Sequence, residues 1–537
     1  MNWKRLTQTW QYVEKWAEIK PAAEALVFQD ERLTWGDVKN RLDMIAKAFI
    51  EIGVKKGDRI AMLSAARNEF LTTFLASGKI GAVWLGLSPK ATLDELAYLI
   101  GDSQPTVLIT VREYLGTDLA PTVKKLMEEF PCLKKILVIG DPFDGTVNLD
   151  AFAYLPRREL DLALEKRSSE VSDHDLTLLL YTSGSTGKPK GVVHTHASIV
   201  ENIKVEVKKF FFDEQGRGLI HFPINHVASV VELGFAGILA GAFLVSMDRF
   251  DPAASLEMIQ KEKLTILGQV PAMFLLQFRD PQFAKTDLSS IRRFLWAGSA
   301  APRLMVTVLS QICAKTGAEM ITGYGSTEVC GFVTYSDPGD DPERLLHTAG
   351  RIAEPFQLKI IDPDRKELPD GTVGEIAVKG PFLMQGYYKN PAATAKVIDG
   401  DGWYYTSDLG FRDSTGYIHL TGRASEMFKS GGENVYPREV EEVIESHESI
   451  LFASVVSVPD PVYQEVGWGF AMLQPGKEVS PEELREYCKT KLSNFKVPKR
   501  FFVRPILPLL PNGKVDKVTL KKEVQSILVQ EKPEESR

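Results

Sequence analysis

The sequence has few cysteines, and none of them is close to another. Cys132, Cys313, Cys330 and Cys488 are far apart and form no C-x-x-C pair. This spacing argues against a disulfide framework and against a zinc site. Isolated thiols are typical of proteins from a reducing compartment, so we predict a cytoplasmic location.

The chain also lacks a basic excess and a long hydrophobic run. It has 64 Lys and Arg against 71 Asp and Glu, a net charge of -7, whereas proteins dedicated to nucleic acid are usually basic. The longest uncharged stretch after Glu232, residues 233–247, is too short for a membrane span of ~20 residues and contains three glycines. The first residues carry scattered charges and no apolar core of a signal peptide. We therefore expect no nucleic-acid partner, no membrane span and no cleaved leader.

What the sequence does have is length and an ordinary globular composition. Its 537 residues are 44% hydrophobic and 25% charged, enough for several domains of ~150 residues. Short apolar strands alternate with amphipathic helices through the first half, for example at 59–64, 70–80 and 82–87. This pattern predicts an α/β fold with mixed or parallel sheets. After Gly350, short strands and turns indicate a small barrel-like β part.

A second, smaller unit is predicted after a break near residue 422. We expect an N-terminal domain over 1–422, a hinge over 423–426 and a mobile α+β C-terminal domain over 427–537. The elements predicted for the small domain are helices at 437–446 and 481–492 and strands at 453–458, 469–473 and 500–503.

A loop rich in glycine and hydroxyl groups follows an apolar run at 176–180. Residues 181–191 read YTSGSTGKPKG, and their many N–H and O–H donors and two lysines suit phosphate oxygens. The loop is not of the Walker A type, because only two residues separate Gly184 from Gly187 and Pro189 stands where Ser or Thr would bind magnesium. A flexible surface loop is the alternative, but the whole string is more specific than spaced glycines.

This string resembles the phosphate loop of the adenylate-forming superfamily, which includes acyl-CoA synthetases, adenylation domains and luciferases. Further segments similar to those of the family follow in order: GYGSTE at 323–328, YTSD at 405–408, GR at 422–423 and PNGK at 511–514. The resemblance covers residues 20–522 and points to the acyl- or aryl-CoA ligase branch of the superfamily.

The resemblance implies ATP, Mg²⁺ and CoA as cofactors or substrates. A carboxylic acid would react with ATP to give acyl-AMP and pyrophosphate, and acyl-AMP would react with CoA to give acyl-CoA and AMP. Both first substrates are anions, so the site must offset their repulsion. The implied catalytic residues are Thr327 on the α-phosphate, Glu328 with Thr186 on Mg²⁺, His226 near the carboxylate, and Lys514 between carboxylate and α-phosphate.

The implied nucleotide set combines the loop with three later segments. Tyr324 would stack on adenine, Asp408 would accept the ribose hydroxyls, and Arg423 would add charge nearby. Taken alone, Asp408 would more often cap a turn and Lys514 would be a solvated turn residue. The full set is Thr182, Ser183, Gly184, Ser185, Thr186, Gly187, Lys190, Gly298, Ser299, Ala300, Gly323, Tyr324, Gly325, Asp408 and Arg423.

The segment around His226 predicts the kind of acid. Val227 and Val231 suggest an apolar acyl pocket, and the resemblance places His226 at the carboxylate. Amino-acid-activating relatives have an aspartate beside this segment, whereas the nearest acid here is Glu232. Because a buried ammonium without a partner is costly, we expect a fatty, aromatic or alicyclic acid rather than an amino acid. His194 and His196 are read as strand-end and helix-start residues without a role.

The thiol acceptor is inferred from the last part of the chain. The segment SGGEN at 430–434 is similar to the acyl-CoA ligase branch, in which Gly431 and Gly432 let pantetheine pass. Residues 485–522 hold eleven Lys or Arg against two Asp or Glu, which is either a solvated face or a polyanion dock. In the second case Phe495, Lys496 and Lys499 would contact the CoA nucleotide.

One position departs from the family pattern. Ser425 stands where the hinge usually has Asp or Lys, so a rotation remains expected but its pivot is open. Three other functions stay in view: a free-standing enzyme that loads a separate carrier protein, a luciferase-like oxygenase and a nonenzymatic nucleotide sensor. The resemblance also allows a homodimer.

Overall fold

The computed structural model describes residues 6–182, 188–509 and 515–530. Two large sheets of mainly parallel strands form the N-terminal part. Their central strands, such as Val83–Leu87 and Val107–Val111, are apolar and buried along their whole length. Strands of this kind are expected where helices cover both faces of a sheet. The α/β class predicted from the sequence is confirmed.

The first sheet has eight strands within the described residues. From Leu176–Thr182 to the far edge all neighbours are parallel, and the two strands on the other side are antiparallel. In spatial order the strands are Gly386–Tyr387, Lys190–Thr195, Leu176–Thr182, Val83–Leu87, Arg59–Leu63, Val107–Val111, Lys135–Ile139 and Val147–Asn148.

The second sheet has nine strands in the same part of the chain. It is parallel from Glu319–Ser326 through Glu24–Phe28 and antiparallel at both ends. Its spatial order is Arg351–Ile352, Gly331–Tyr335, Glu319–Ser326, Arg293–Trp296, Ile266–Gln269, Arg217–Ile220, Phe243–Ser246, Glu24–Phe28 and Glu31–Thr34. A short ribbon pairs Glu113–Tyr114 with Thr117–Asp118.

Two smaller sheets follow. The third is antiparallel and corresponds to the predicted β part; its strands are Gln357–Ile361, Gly374–Lys379, Tyr404–Arg412 and Ile418–Arg423. The C-terminal sheet begins at Phe428, and its strands are Phe428–Ser430, Glu433–Val435, Ile450–Asp460, Gln464–Leu473 and Arg500–Arg504. The strand at Arg500–Arg504 is parallel to its neighbour, and the other pairings are antiparallel.

The helices pack around these sheets. Several begin with a capping box; Thr34, for example, accepts a hydrogen bond from the Asp37 N–H while the Asp37 side chain accepts from Thr34. The α-helices are Gln11–Ile19, Trp35–Glu51, Asn68–Lys79, Leu93–Ser103, Ala120–Glu129, Leu149–Ala153, Asp161–Ser169, His196–Lys209, Ala236–Ala240, Pro252–Glu262, Pro271–Arg279, Arg303–Thr316, Pro342–His347, Pro391–Val397, Pro437–Glu445, Pro481–Lys489 and Lys517–Gln530. Ala228–Phe235 is a π-helix, and Arg158–Leu160, Phe283–Lys285 and Thr327–Val329 are 3₁₀ turns.

At Gly86 the first sheet contacts the segment that follows the strand Arg217–Ile220 of the second sheet. A Cβ atom at this position would lie 2.4 Å from the carbonyl oxygen of Ile224, so glycine is required for the close approach. The contact holds the segment before the π-helix, which carries His226, against the first sheet.

All four cysteines lie in the described part of the chain and are unpaired. Among the helices of that part, none combines the length and apolar character needed to cross a bilayer.

Candidate active site

A cavity of about 640 Å³ opens where the two large sheets and the third sheet meet. Gln269, Trp296 and Ser326 line it, each from the carboxyl end of a parallel strand of the second sheet. The carboxyl ends of parallel strands are where α/β folds bind ligands. The sequence-predicted residues that line this cavity are Thr182, Lys190, His226, Val227, Gly298, Gly325, Thr327, Glu328, Asp408, Arg423 and Ser425.

The phosphate loop is anchored at both of its ends. Thr182 and Lys190 lie opposite each other on antiparallel strands and both line the cavity. The ammonium of Lys190 lies 5.0 Å from the ring centroid of Tyr387. The predicted loop residues Ser183, Gly184, Ser185, Thr186 and Gly187 lie outside the described residues.

Thr327 and Glu328 are held by residues from distant parts of the chain. His194 Nε2 lies 2.7 Å from the carbonyl oxygen of Thr327, and since a carbonyl only accepts, this nitrogen carries the proton. The hydroxyl of Tyr387 donates to Glu328 Oε1 at 3.2 Å, and Met384 N–H donates to the Glu328 carbonyl. Hydrogen bonds therefore fix the backbone of Thr327 and both the backbone and the side chain of Glu328, the residues predicted to bind phosphate and metal.

Sequence reasoning gave His194 no role and did not single out Tyr387. Burial lowers the pKa of His194 to about 4, so the ring is neutral at pH 7. Burial and the neighbouring Glu328 charge raise the pKa of Tyr387, so its hydroxyl keeps the proton that it donates. No local pattern could reveal these contacts, because His194 and Thr327 are 133 positions apart.

Tyr324, Asp408 and Arg423 form a short hydrogen-bonded chain. The Tyr324 hydroxyl donates to Asp408 Oδ2 at 2.6 Å, and Arg423 Nε donates to Asp408 Oδ1 at 3.0 Å. Burial and the Asp408 carboxylate raise the pKa of Tyr324, and the same carboxylate raises that of Arg423. Hydrogen bonds from Tyr324 and Arg423 thus orient both carboxylate oxygens of Asp408, the residue predicted to accept from the ribose hydroxyls.

Not every predicted nucleotide residue reaches the cavity surface. Tyr324 is 8% exposed and, like Gly323, is not among the residues that line the cavity. Gly298 lines it, whereas Ser299 is exposed outside it and Ala300 is half-buried beside it. Of the residues predicted at 298–300 and 323–325, Gly298 and Gly325 line the cavity.

The opposite half of the cavity is mainly apolar. His226 lies at its edge, and because the Ala228 N–H donates to Nδ1 at 3.2 Å, a neutral ring carries its proton on Nε2. Val227 lines this half, whereas Val231 is 0% exposed and belongs to the core. Leu233, which the sequence also suggested for an apolar pocket, lines the cavity. Further lining residues were not singled out from the sequence: Phe210, Phe222, Gly268, Val270, Leu295 and Phe332.

The predicted CoA residues form a separate group on the C-terminal sheet. Gly431 and Gly432 are the two-residue turn of a hairpin, with φ of 62° and 90°, values that a type I′ turn requires. Gly431 N–H donates to the carbonyl of Tyr463, and Lys499 Nζ lies 4.4 Å from the Tyr463 ring centroid. Lys496 pairs with Glu439 at 2.5 Å, and Phe495 packs on the small core of this domain. The residues that line the cavity include none of them.

The segment predicted as a hinge is a turn between two sheets. The strand of the third sheet ends at Arg423, Ala424 N–H donates to the Ser407 carbonyl, and Glu426 N–H donates to the Arg423 carbonyl. Ser425 lines the cavity. Lys514, the predicted catalytic lysine, lies outside the described residues.

Within the described ranges, His, Cys, Asp and Glu side chains form no group of three that could hold a metal ion. Glu328 alone presents a carboxylate at the predicted metal position. One or two carboxylates combined with substrate phosphates are a usual coordination for Mg²⁺, so the residues present fit a metal that arrives with ATP.

Comparison with known proteins identifies both parts of the chain. Residues 13–388 match the family model described as AMP-binding enzyme, and residues 439–514 match that of the AMP-binding enzyme C-terminal domain. The chain is 31% identical to a feruloyl-CoA synthase of Amycolatopsis sp, covering 93% of this chain and 95% of the relative. It is 30% identical to the long-chain-fatty-acid–CoA ligase FadD13 of Mycobacterium tuberculosis, covering 94% and 96%.

A solved structure has the same fold at lower sequence identity. The anthranilate CoA ligase AuaEII in complex with anthranoyl-AMP is 23% identical, has a TM-score of 0.87 and covers 97% of this chain and 98% of its own. This likeness supports the arrangement of sheets described above.

Proposed function

This chain belongs to the AMP-binding enzyme family and to its acyl-CoA ligase branch, and on that premise we propose that it converts an apolar carboxylic acid to its CoA thioester. The acid is fatty, aromatic or alicyclic, and not an amino acid. The observation that carries the proposal is that one cavity is lined by Lys190, Glu328 and Asp408 and also by His226 and a group of apolar side chains. Such a cavity suits a substrate pair of one nucleotide and one apolar acid.

The first step joins the acid to the α-phosphorus of ATP. A carboxylate oxygen attacks the phosphorus, the bond to the bridging oxygen of pyrophosphate breaks, and pyrophosphate leaves. Lys190 offsets the phosphate charge, Thr327 donates to the α-phosphate, and the His226 Nε2–H orients the carboxylate. We assign Lys514 to the charge that develops between carboxylate and α-phosphate.

Mg²⁺ would be held by Glu328 together with the phosphates and Thr186. When bound, the metal neutralises phosphate charge. The chain's own contribution is the orientation of the Glu328 carboxylate by the Tyr387 hydroxyl at 3.2 Å.

The second step transfers the acyl group from phosphate to sulfur. The CoA thiol, as its thiolate, attacks the acyl carbon, and AMP leaves with the electrons of the acyl–phosphate bond. We assign Gly431 and Gly432 to the pantetheine route and Phe495, Lys496 and Lys499 to the CoA nucleotide. The ammonium of Lys499 beside the Tyr463 ring supports a cationic approach.

We infer the class of acid from the residues that line the cavity of this chain, and not from the names of its relatives. Relatives of nearly equal identity are named for feruloyl and for long-chain fatty acids, so similarity alone does not select between them. The apolar lining supports either skeleton. A cytoplasmic location and a homodimer remain proposals; light scattering after gel filtration tests the dimer.

The test is pyrophosphate release with fatty, aromatic and alicyclic acids, followed by chromatography of the CoA products. We expect pyrophosphate with at least one class and a CoA thioester in equal amount. Pyrophosphate without turnover of free CoA would favour the enzyme that loads a carrier protein. Absence of pyrophosphate with every acid would contradict the proposed function.

A further inference from the structure

Glu232 brings a carboxyl group to the apolar half of the cavity. In the π-helix Ala228–Phe235 every residue is buried except Glu232, which is half-buried and lines the cavity. The accessible part of Glu232 therefore contributes to the cavity surface. Its neighbours on this wall are Phe210 and Phe332, whose rings lie 5.2 Å apart at right angles.

A second acid lies directly behind Glu232. Glu206, on the helix His196–Lys209, is 0% exposed, and neither of its carboxyl oxygens has a hydrogen-bond partner in the described part of the chain. The two side chains meet at Gly331: a Cβ atom there would lie 3.0 Å from Glu206 Oε2 and 3.3 Å from Glu232 Cγ.

This arrangement is costly if it only supports the fold. An unpaired buried carboxyl loses its hydration without compensation. Burial and the charge of Glu232 raise the pKa of Glu206 well above its ordinary value, which favours the protonated form of Glu206. A carboxyl pair kept among the apolar side chains of the cavity points to a ligand with a polar group of its own.

Resting on the proposed function, but narrowing its exclusion of amino acids to those activated beside the His226 segment, we propose that Glu232, backed by Glu206, determines specificity by accepting a hydrogen bond from a hydroxyl or amino group of the acid that is distant from the carboxylate. We place this group away from the reacting carboxylate, because Glu232 lies within the π-helix Ala228–Phe235 whereas His226 precedes that helix. The substrate is then an acid with an apolar skeleton and one donor at its far end.

The experiment measures kcat/KM for pyrophosphate release with two matched sets of acids. One set is cinnamic acid with its para-hydroxy and para-amino derivatives, and the other is octanoic acid with its terminal hydroxy and terminal amino derivatives. In the unmodified enzyme, we expect kcat/KM for a donor-bearing acid of at least one set to be about tenfold or more higher than kcat/KM for its parent acid. A difference of this size is typical of a hydrogen bond to a charged group.

Variants of Glu232 separate the two donors. Glu232→Met removes the acceptor at similar length and should abolish the preference. Glu232→Gln keeps an acceptor oxygen without charge, so a preference for the hydroxyl should persist while a preference for the amine is lost. Glu201→Gln is the matched control, because Glu201 lies on the helix of Glu206 but pairs with Lys204 at 2.8 Å; its acid preference should equal that of the unmodified enzyme. Melting temperatures verify that each variant folds.

Two results would overturn the inference in different ways. If parent acids are activated as well as their derivatives, and Glu232→Met leaves the ratios unchanged, Glu232 has no part in specificity although the ligase function stands. If no acid releases pyrophosphate, the ligase function fails and the inference fails with it.

Discussion

The nucleotide motif and the predicted CoA contacts differ in how the chain holds them. The Thr327 carbonyl and the Glu328 side chain are bonded by His194 and Tyr387, which lie on separate strands of the first sheet. Gly431, by contrast, lies at the tip of a hairpin in the C-terminal sheet, and the cavity lining does not include it.

This difference between the nucleotide motif and the predicted CoA contacts bears on how the chain carries out the two proposed half-reactions. Groups that are hydrogen-bonded by several elements cannot shift without breaking several contacts. We therefore expect the residues proposed for adenylation to be oriented before substrates bind. Groups on a small domain joined by one turn can move together. We therefore expect the C-terminal domain to reorient between the two half-reactions, with Lys514 used in the first and Gly431 and Gly432 in the second.

The sharpest test of this division is Lys514→Ala. It should reduce pyrophosphate release about 10²-fold or more, because loss of transition-state charge stabilisation costs ~3 kcal/mol. Thioester formation from supplied acyl-adenylate should be spared. Unchanged pyrophosphate release would show that Lys514 does not serve the first step.

Glu328→Gln tests the nucleotide motif, the region that is held by hydrogen bonds from several strands. An amide is a poorer ligand for Mg²⁺ than a carboxylate, so the Mg²⁺ concentration for half-maximal adenylation should rise about tenfold or more. The circular dichroism spectrum should not change. A magnesium titration that overlays that of the unmodified enzyme would remove Glu328 from the metal site.

Ser425→Pro tests the predicted hinge and with it the expected reorientation of the C-terminal domain. Proline fixes φ near -65° and restricts Ala424 as well, so one half-reaction should slow about tenfold more than the other, most strongly thioester formation. Single-turnover rates for each step measure this ratio. Equal, small effects in a folded variant would mean that the pivot lies elsewhere or that the domain does not rotate.

His194 gives the smallest expected effect. His194→Ala removes the donor to the Thr327 carbonyl, which at ~1 kcal/mol should lower kcat/KM for ATP about fivefold. His194→Gln supplies a donor again and should recover part of the loss. A Gln variant as impaired as the Ala variant would indicate a packing role only.

Patterns with a local cause were predictable from the sequence. The strands Val83–Leu87 and Arg500–Arg504 lie within one residue of the predicted bounds 82–87 and 500–503, since apolar runs and turn residues define them. The resemblance also grouped residues that prove to share one cavity, such as Thr182, Thr327 and Asp408.

Contacts across the fold could not be predicted in this way. The sequence gives no sign that the Tyr324 hydroxyl bonds Asp408, or that Val231 faces the core while Glu232 faces the cavity. The π-helix changes which side chains share a face, since it has more residues per turn than an α-helix. That change is decided by packing against the neighbouring strands.

The close contact at Gly86 sets a limit for engineering of this enzyme. Because the Ile224 carbonyl leaves no room for a side chain there, a library that varies position 86 would displace the segment that carries His226 rather than enlarge the acid site. Space for bulkier acids should instead be sought by truncating Val227 or Leu233, which line the cavity.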